Sequence, residues 1–233
     1  MMRLACLLAL SLAACGSSQE PVATPKKGKM GKTMTDHFTA IVSVQKAVIR
    51  GDLANAKLRA KQFTETLRDD DHPAGWHPYL QKVRGAVFQI AAAPDLGQVA
   101  AATAKAARTC GACHDALGID VFTDGAPPPA TRPENLSEYM MQHLAAADSM
   151  WNGLVGPSPS AWNEGAQTLA GAGLFPQTGS VELTLEMREL GIELNKLGQQ
   201  ATKAEDLHAQ SVLYGEFLGT CARCHKLYLS DMD

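Results

Sequence analysis

Two five-residue segments of this chain, Cys110–His114 (CGACH) and Cys221–His225 (CARCH), carry the side chains best suited to chemistry. Both follow the spacing CxxCH, in which two thiols attach a c-type haem and the adjacent imidazole supplies an axial ligand to the iron. Residues three and four apart share one face of a helix, so the thiols and the imidazole would meet one porphyrin. The sequence therefore predicts two c-type haems. Their thiols are Cys110, Cys113, Cys221 and Cys224, and their first axial ligands are His114 and His225.

The same cysteine spacing also occurs in zinc sites and in redox-active dithiols. A zinc site needs four nearby ligands, whereas the two cysteine pairs are separated by roughly a hundred residues and each has its own His. A thioredoxin-like dithiol expects a βαβ setting, whereas the surroundings of both segments have a helical pattern. Haem attachment is therefore favoured, and zinc binding and dithiol chemistry are the alternatives.

The N-terminus predicts an exported lipoprotein. Residues 1–14 combine a basic start with an apolar run that is too short to span a bilayer, which is the pattern of a signal peptide. Cys15 at the boundary resembles a bacterial lipoprotein box, which implies cleavage before this residue and acylation of its thiol. Gly16 after it implies an outer-membrane anchor that faces the periplasm. An ordinary signal peptidase site with an incidental Cys is the alternative.

Cysteine usage and charge restrict the partners. Of six cysteines, Cys6 leaves with the signal peptide, Cys15 carries lipid and four belong to the haem motifs, so no structural disulfide is expected. Removal of residues 1–14 takes away Arg3 and no acid, which leaves 20 basic and 24 acidic residues and a net charge of −4 with His neutral. This charge argues against nucleic acid as a partner and permits a basic redox protein of the periplasm.

Two polar segments divide the mature chain. Residues 15–33 are rich in Gly, Pro and Lys and predict a flexible tether, and residues 121–136 predict a Pro-rich linker. They separate two haem-binding units, residues 34–120 and residues 137–233, and each unit has its CxxCH segment near its end.

The two units are divergent copies of one repeat. A shift of 106 positions pairs Met34 with Met140 and His37 with His143, and conservative pairs follow along the same helices. After an insertion, a shift of 111 positions pairs the two CxxCH segments. Each copy should therefore bind one haem.

Apolar residues recur with a helical period in both copies. In the first helix they fall at steps of three and four until Gly51 and Asp52 interrupt the run. Three further helices follow, with Pro94 and a capping Asp95 before the last one, and the period-two alternation of strands is missing. The predicted fold class is all-α, with two tandem four-helix bundles and a c-type haem near the end of the last helix of each.

This arrangement resembles the cytochrome c prime-like family of four-helix-bundle c-type cytochromes. The resemblance rests on Cys110–Leu117, on Cys221–Tyr228 and on the Met-x-x-His start of each first helix, and it covers most of both units. The chain departs from the family in its tandem, dihaem form and in lacking the Arg often found after the motif. Members of this family often form homodimers through their first two helices, so the resemblance implies a homodimer as one possible state of this chain.

The sixth iron ligand decides the function, because a filled position gives electron transfer and an open one gives gas binding. Low-spin relatives place this ligand on the first helix. His37 and His143 lie on the apolar stripe there, where an unpaired imidazole is costly to bury, and they are the preferred ligands. Met34 and Met140 are the alternative ligands. A core histidine bonded to a carbonyl is the competing interpretation of both imidazoles.

Positions or partners can also be predicted for the remaining histidines, for several aromatic residues and for three arginines. His72, His77 and His208 have no counterpart in the other copy and are expected at the surface or in loops. Several aromatic residues are expected in the core or in the walls around the haems: Phe38, Phe88, Trp76, Trp151 and Trp162. The candidate partners of the haem propionates are Arg84, Arg108 and Arg223.

Three functions follow in order of preference. The first is a lipid-anchored dihaem cytochrome that carries single electrons between periplasmic redox proteins and is not an enzyme. The alternative is a gas-binding sensor or scavenger of nitric oxide or carbon monoxide with an open sixth site. A haem peroxidase would need a distal acid–base pair, which the sequence does not reveal.

Overall fold

The computed structural model describes residues 29–68, 72–119, 121, 133–172 and 184–230. These residues form eight α-helices and one short 3-10 helix, and no β-strand lies among them. The all-α class predicted from the sequence is confirmed. The signal peptide, Cys15 and most of the predicted tether and Pro-rich linker lie outside the described residues. The helices are α1 (Lys29–Ile49), α2 (Leu53–Thr66), α3 (His77–Ala92), α4 (Leu96–Leu117), α5 (Leu136–Val155), α6 (Pro159–Gly171), α7 (Leu185–Ala201) and α8 (Leu207–Ser230).

Local sequence sets the helix boundaries in the first half. Gly51 adopts a left-handed backbone with φ of 71°, which ends α1, and the Asp52 carboxylate accepts a hydrogen bond from the Asn55 amide at 2.9 Å to begin α2. Asp95 caps α4 in the same way, accepting from the Gln98 amide at 2.8 Å. Both interruptions lie where the sequence predicts them.

The second half begins its helices with the same chemistry. Asn135 caps α5, Ser158 caps α6 and Thr184 caps α7, each with a side-chain oxygen that accepts a backbone N–H of the first turn. These caps satisfy amide groups that have no partner within the helix. The cap at Asn135 fixes where α5 begins, and α5 carries His143.

Helices that follow one another along the chain pack together: α1 to α4 in the first half and α5 to α8 in the second. The halves also contact each other extensively, because α4 packs along α8, and α4 touches α5 while α1 touches α8. A single cluster of buried apolar residues runs through both halves. Within it the Gln45 amide donates to the Tyr214 hydroxyl at 2.7 Å, and that hydroxyl donates to the Ala147 carbonyl at 2.9 Å.

None of the helices in the described part of the chain combines the length and apolarity that a membrane crossing requires.

Candidate functional site

Both CxxCH segments lie on helices, near the C-terminal ends of α4 and α8. Their four cysteines are free thiols and are buried or half-buried. Burial raises the pKa of Cys110 to about 12, that of Cys113 to about 11 and that of Cys221 to about 12, and it also raises the pKa of Cys224. A catalytic dithiol needs a lowered thiol pKa, so these surroundings count against dithiol chemistry.

The first CxxCH segment opens onto a cavity of about 440 Å³, which we call site 1. Cys110, Cys113 and His114 line it from α4, and Met34 and His37 line it from α1. Most of the remaining wall is apolar and includes Ile41, Phe63, Leu67, Leu80, Val83 and Val155. The structure therefore brings both sixth-ligand candidates of the first copy into one cavity with its CxxCH segment.

The second CxxCH segment opens onto a separate cavity of about 330 Å³, which we call site 2. Cys221, Cys224 and His225 line it from α8, and Met140 and His143 line it from α5. Both volumes lie in the range of small-molecule and cofactor sites. Each copy of the sequence repeat therefore contributes its CxxCH segment and its first-helix Met and His to one cavity.

The CxxCH imidazoles are held by backbone carbonyls from the opposite half. His114 Nδ1 donates to the Val155 carbonyl of α5 at 2.7 Å, and His225 Nδ1 donates to the Ile49 carbonyl of α1 at 2.5 Å. With the proton on Nδ1, each Nε2 presents its lone pair, which is the tautomer that a metal ligand needs. Burial lowers the pKa of His114, which also favours the neutral imidazole.

These residues fit a c-type haem by the chemistry of their donors. Each cavity combines two thiols, an imidazole anchored through Nδ1 and a second imidazole within a largely apolar wall. In the described ranges no group of three or more His, Cys, Asp or Glu side chains could hold a metal ion by itself. A haem iron takes only its axial ligands from the protein.

His143 is the better placed of the two first-helix imidazoles. It is 6 % exposed, and burial together with nearby His225 lowers its pKa to about 4, so it is neutral near pH 7. The Tyr139 ring packs against it, with centroids 4.1 Å apart and planes at 59°. Its neutral imidazole lines site 2 and is in the state that a ligand to iron requires.

His37 has a different environment at site 1. Its Nε2 lies 3.3 Å from the Thr66 carbonyl at the end of α2, and its ring stacks on His72 at 5.2 Å. This contact is the one that the competing interpretation, a core histidine bonded to a carbonyl, expects of His37, and the same residue also lines site 1. The two sites share their donor set but differ at the preferred sixth ligand.

His72 lies in the loop before α3, which agrees with the prediction of a surface or loop residue, but it is only 8 % exposed and stacks on His37. Its Nδ1 donates to the Arg68 carbonyl at 2.7 Å, and its buried Nε2 has no hydrogen-bond partner in the described part of the chain. The segment before α3 lacks periodicity, but His72 packs on His37 of α1 and its ring also contacts Trp76. His208 is exposed as predicted, and His77 is half-buried at the start of α3.

None of the three arginines proposed as propionate partners lines either cavity. Arg84 donates to the Leu67 carbonyl at 2.8 Å, and Arg223 pairs with Glu193 at 2.6 Å. Arg108 contacts His208 at 3.0 Å in a groove between α4 and α8. The cations that do line a cavity are Lys46 and Arg50 at site 2, which sequence reasoning missed because they belong to the other copy.

The aromatic predictions divide into three groups. Phe38 and Trp76 line site 1. Trp151 and Trp162 are fully buried in the core and line neither cavity. Phe88 is 68 % exposed, so its prediction is wrong: it lies on the solvent side of α3, next to the buried Val87.

Comparisons with protein-family models, with curated proteins and with solved structures found no match for this chain. The interpretation of both sites therefore rests on their residues and geometry.

Proposed function

We propose that this protein is a dihaem c-type cytochrome that carries single electrons between redox partners. The supporting observation is that, in each half, a CxxCH segment and a first-helix histidine line the same largely apolar cavity. Haem iron supplies one-electron chemistry by alternating between its ferric and ferrous states. Two histidines on one iron leave no open position for a substrate, which favours electron transfer.

The chain's own residues have distinct tasks in this proposal. The four thiols hold the two groups covalently, and His114 and His225 present Nε2 because their Nδ1 atoms are bonded to carbonyls. His143 would supply the second imidazole at site 2, where the Tyr139 ring packs against it. The largely apolar walls of both sites would hold the flat faces of the two groups.

The larger organisation belongs to the same proposal. Helices α1–α4 and α5–α8 form two tandem four-helix bundles of the cytochrome c prime-like kind, corresponding to residues 34–120 and 137–233. Packing between successive helices in each half supports this arrangement. The signal peptide and Cys15 would place the chain on the periplasmic side of the outer membrane, where its partners are redox proteins.

One observation favours gas binding at site 1. His37 Nε2 lies within hydrogen-bond distance of the Thr66 carbonyl, and an imidazole kept there would leave the sixth position of site 1 open. Site 2 has no such competing contact at His143 in the described residues. The alternative function therefore concerns one site rather than the whole protein.

Haem stoichiometry and carbon monoxide binding separate these functions. The full chain, expressed with haem-maturation machinery, is expected to gain two haems by intact mass, and Cys110→Ala/Cys113→Ala and Cys221→Ala/Cys224→Ala are each expected to lose one. Slow or no carbon monoxide binding to the reduced protein supports electron transfer at both sites. Rapid binding at one site supports gas binding there, and a wild-type chain without covalent haem contradicts both functions.

A further inference from the structure

Each cavity is completed by the first helix of the opposite half. Lys46, Ile49 and Arg50 of α1 line site 2, and Asn152 and Val155 of α5 line site 1. Ile49 and Val155 are equivalent under the 106-residue shift, and they supply the carbonyls that hold His225 and His114. Both CxxCH imidazoles are therefore held by the same kind of backbone hydrogen bond. A difference in reduction potential between the two sites must then come from the side chains around them.

The equivalent side chains differ in charge. Lys46 and Arg50 at site 2 correspond to Asn152 and Gly156 in the other half, which are uncharged. Among the residues that the structure describes, no Asp, Glu, Lys or Arg lines site 1. The rim of site 2 therefore carries two cations that the rim of site 1 lacks.

The residues that follow the two CxxCH histidines also differ in charge. The residue after the CxxCH histidine is Lys226 at site 2, beside the turn at Gly51, but Asp115 at site 1. One acid opposes the cations, because the Asp148 carboxylate interacts with Lys46. These positions at site 2 together carry an excess of positive charge, whereas the only charged residue at the equivalent positions of the other copy is Asp115.

We propose that α1 makes site 2 the first of the two sites to be reduced. This inference rests on the proposed haem binding. Lys46 and Arg50 line site 2 and would be the cations available to the propionate carboxylates of a haem there. One electron from a one-electron donor converts one ferric iron to ferrous, with no bond made and no proton needed, and the iron loses one unit of positive charge. Nearby cations favour that more negative state.

A potentiometric titration tests this order in the full-length holoprotein, with dithionite as reductant and the haem absorption bands as readout. Wild type should titrate in two waves. Lys46→Gln/Arg50→Gln should move only the higher-potential wave, downward. Water and salt screen cations at an exposed rim, so the reduction equilibrium should weaken about tenfold, which is about 59 mV for one electron.

Two further variants act as controls. Asn152→Lys adds a cation to site 1 and should raise only the lower wave. Arg59→Gln/Lys61→Gln removes two exposed cations on α2 that line neither cavity, and it should move neither wave. A single wave in wild type, or a Lys46→Gln/Arg50→Gln shift confined to the lower wave, overturns the inference but leaves the proposed function intact. A wild-type chain without covalent haem overturns both.

Discussion

At the scale of single residues, the two sites hold the same donors in unequal states. His143 is neutral, packed on Tyr139 and lines its cavity, whereas His37 faces a carbonyl and stacks on His72. The repeat in the sequence predicts the pairing of His37 with His143, but it gives no sign of this difference. The rings that contact these imidazoles, Tyr139 and His72, lie at positions that the repeat does not relate.

If His143 binds iron as proposed, the Tyr139 ring packed against it positions the imidazole, and substitutions that remove or keep this ring separate that role from simple core packing. Tyr139→Leu is expected to raise the high-spin fraction at site 2 and to lower the free energy of unfolding by about 1–3 kcal/mol. Tyr139→Phe keeps the ring contact and should keep the wild-type spin state. Equal spectra for both variants and wild type would mean that the ring only fills space.

At the scale of helices, each CxxCH segment packs on the end of the other half's first helix. The Gly111 backbone approaches α5 so closely that an added Cβ would overlap the Leu154 carbonyl oxygen. Gly51 has a related role opposite Ala222, where an added Cβ would lie 2.8 Å from the Ala222 carbonyl oxygen. These contacts keep the carbonyls of α1 and α5 within reach of the CxxCH imidazoles.

Gly111→Ala tests the contact between α4 and α5. The methyl group must push the helices apart, so we expect the free energy of unfolding to fall by about 2 kcal/mol or more and the site 1 spectrum to change. Ala112→Ser at the exposed neighbouring position should cost about 0.5 kcal/mol at most. Denaturant titration with absorption spectra measures both effects. Unchanged stability in Gly111→Ala would argue against this close approach.

The helices and their boundaries are predictable from the sequence, because the signals that set them are local. The break at Gly51, the cap at Asp95 and the helical periods depend on residues only a few positions apart. The partners of the CxxCH imidazoles could not be predicted in this way, since a backbone carbonyl looks the same at every residue. Burial of His72 also escaped prediction, because it depends on how an aperiodic segment packs against α1.

At the scale of the whole molecule, the halves share one apolar core and exchange site residues. The sequence suggests two separate units joined by a linker, and it contains no local signal for the packing of α4 on α8. A long-range contact of this kind depends on both helix faces at once. The repeat therefore predicts two sites, but it does not predict that each site is lined partly by residues of the other half.

A shared core predicts that both halves unfold together. Phe63→Ala in α2 should remove about 3–5 kcal/mol of stability, because this ring is fully buried. Calorimetry should record one transition that moves to lower temperature as a whole. The exposed Leu58→Ala on the same helix should change stability by about 0.5 kcal/mol or less. Two transitions, of which only one moves, would contradict the shared core.

The proposed function requires each cavity to hold a haem whose iron takes one CxxCH histidine and one first-helix histidine as ligands. Electron paramagnetic resonance spectra of the oxidised wild type, His37→Ala and His143→Ala show whether both histidines are bound at each site. We expect two low-spin ferric signals in wild type and the loss of one different signal in each variant. A high-spin ferric signal from either site of the wild-type protein would rule out a pair of histidine ligands at that site.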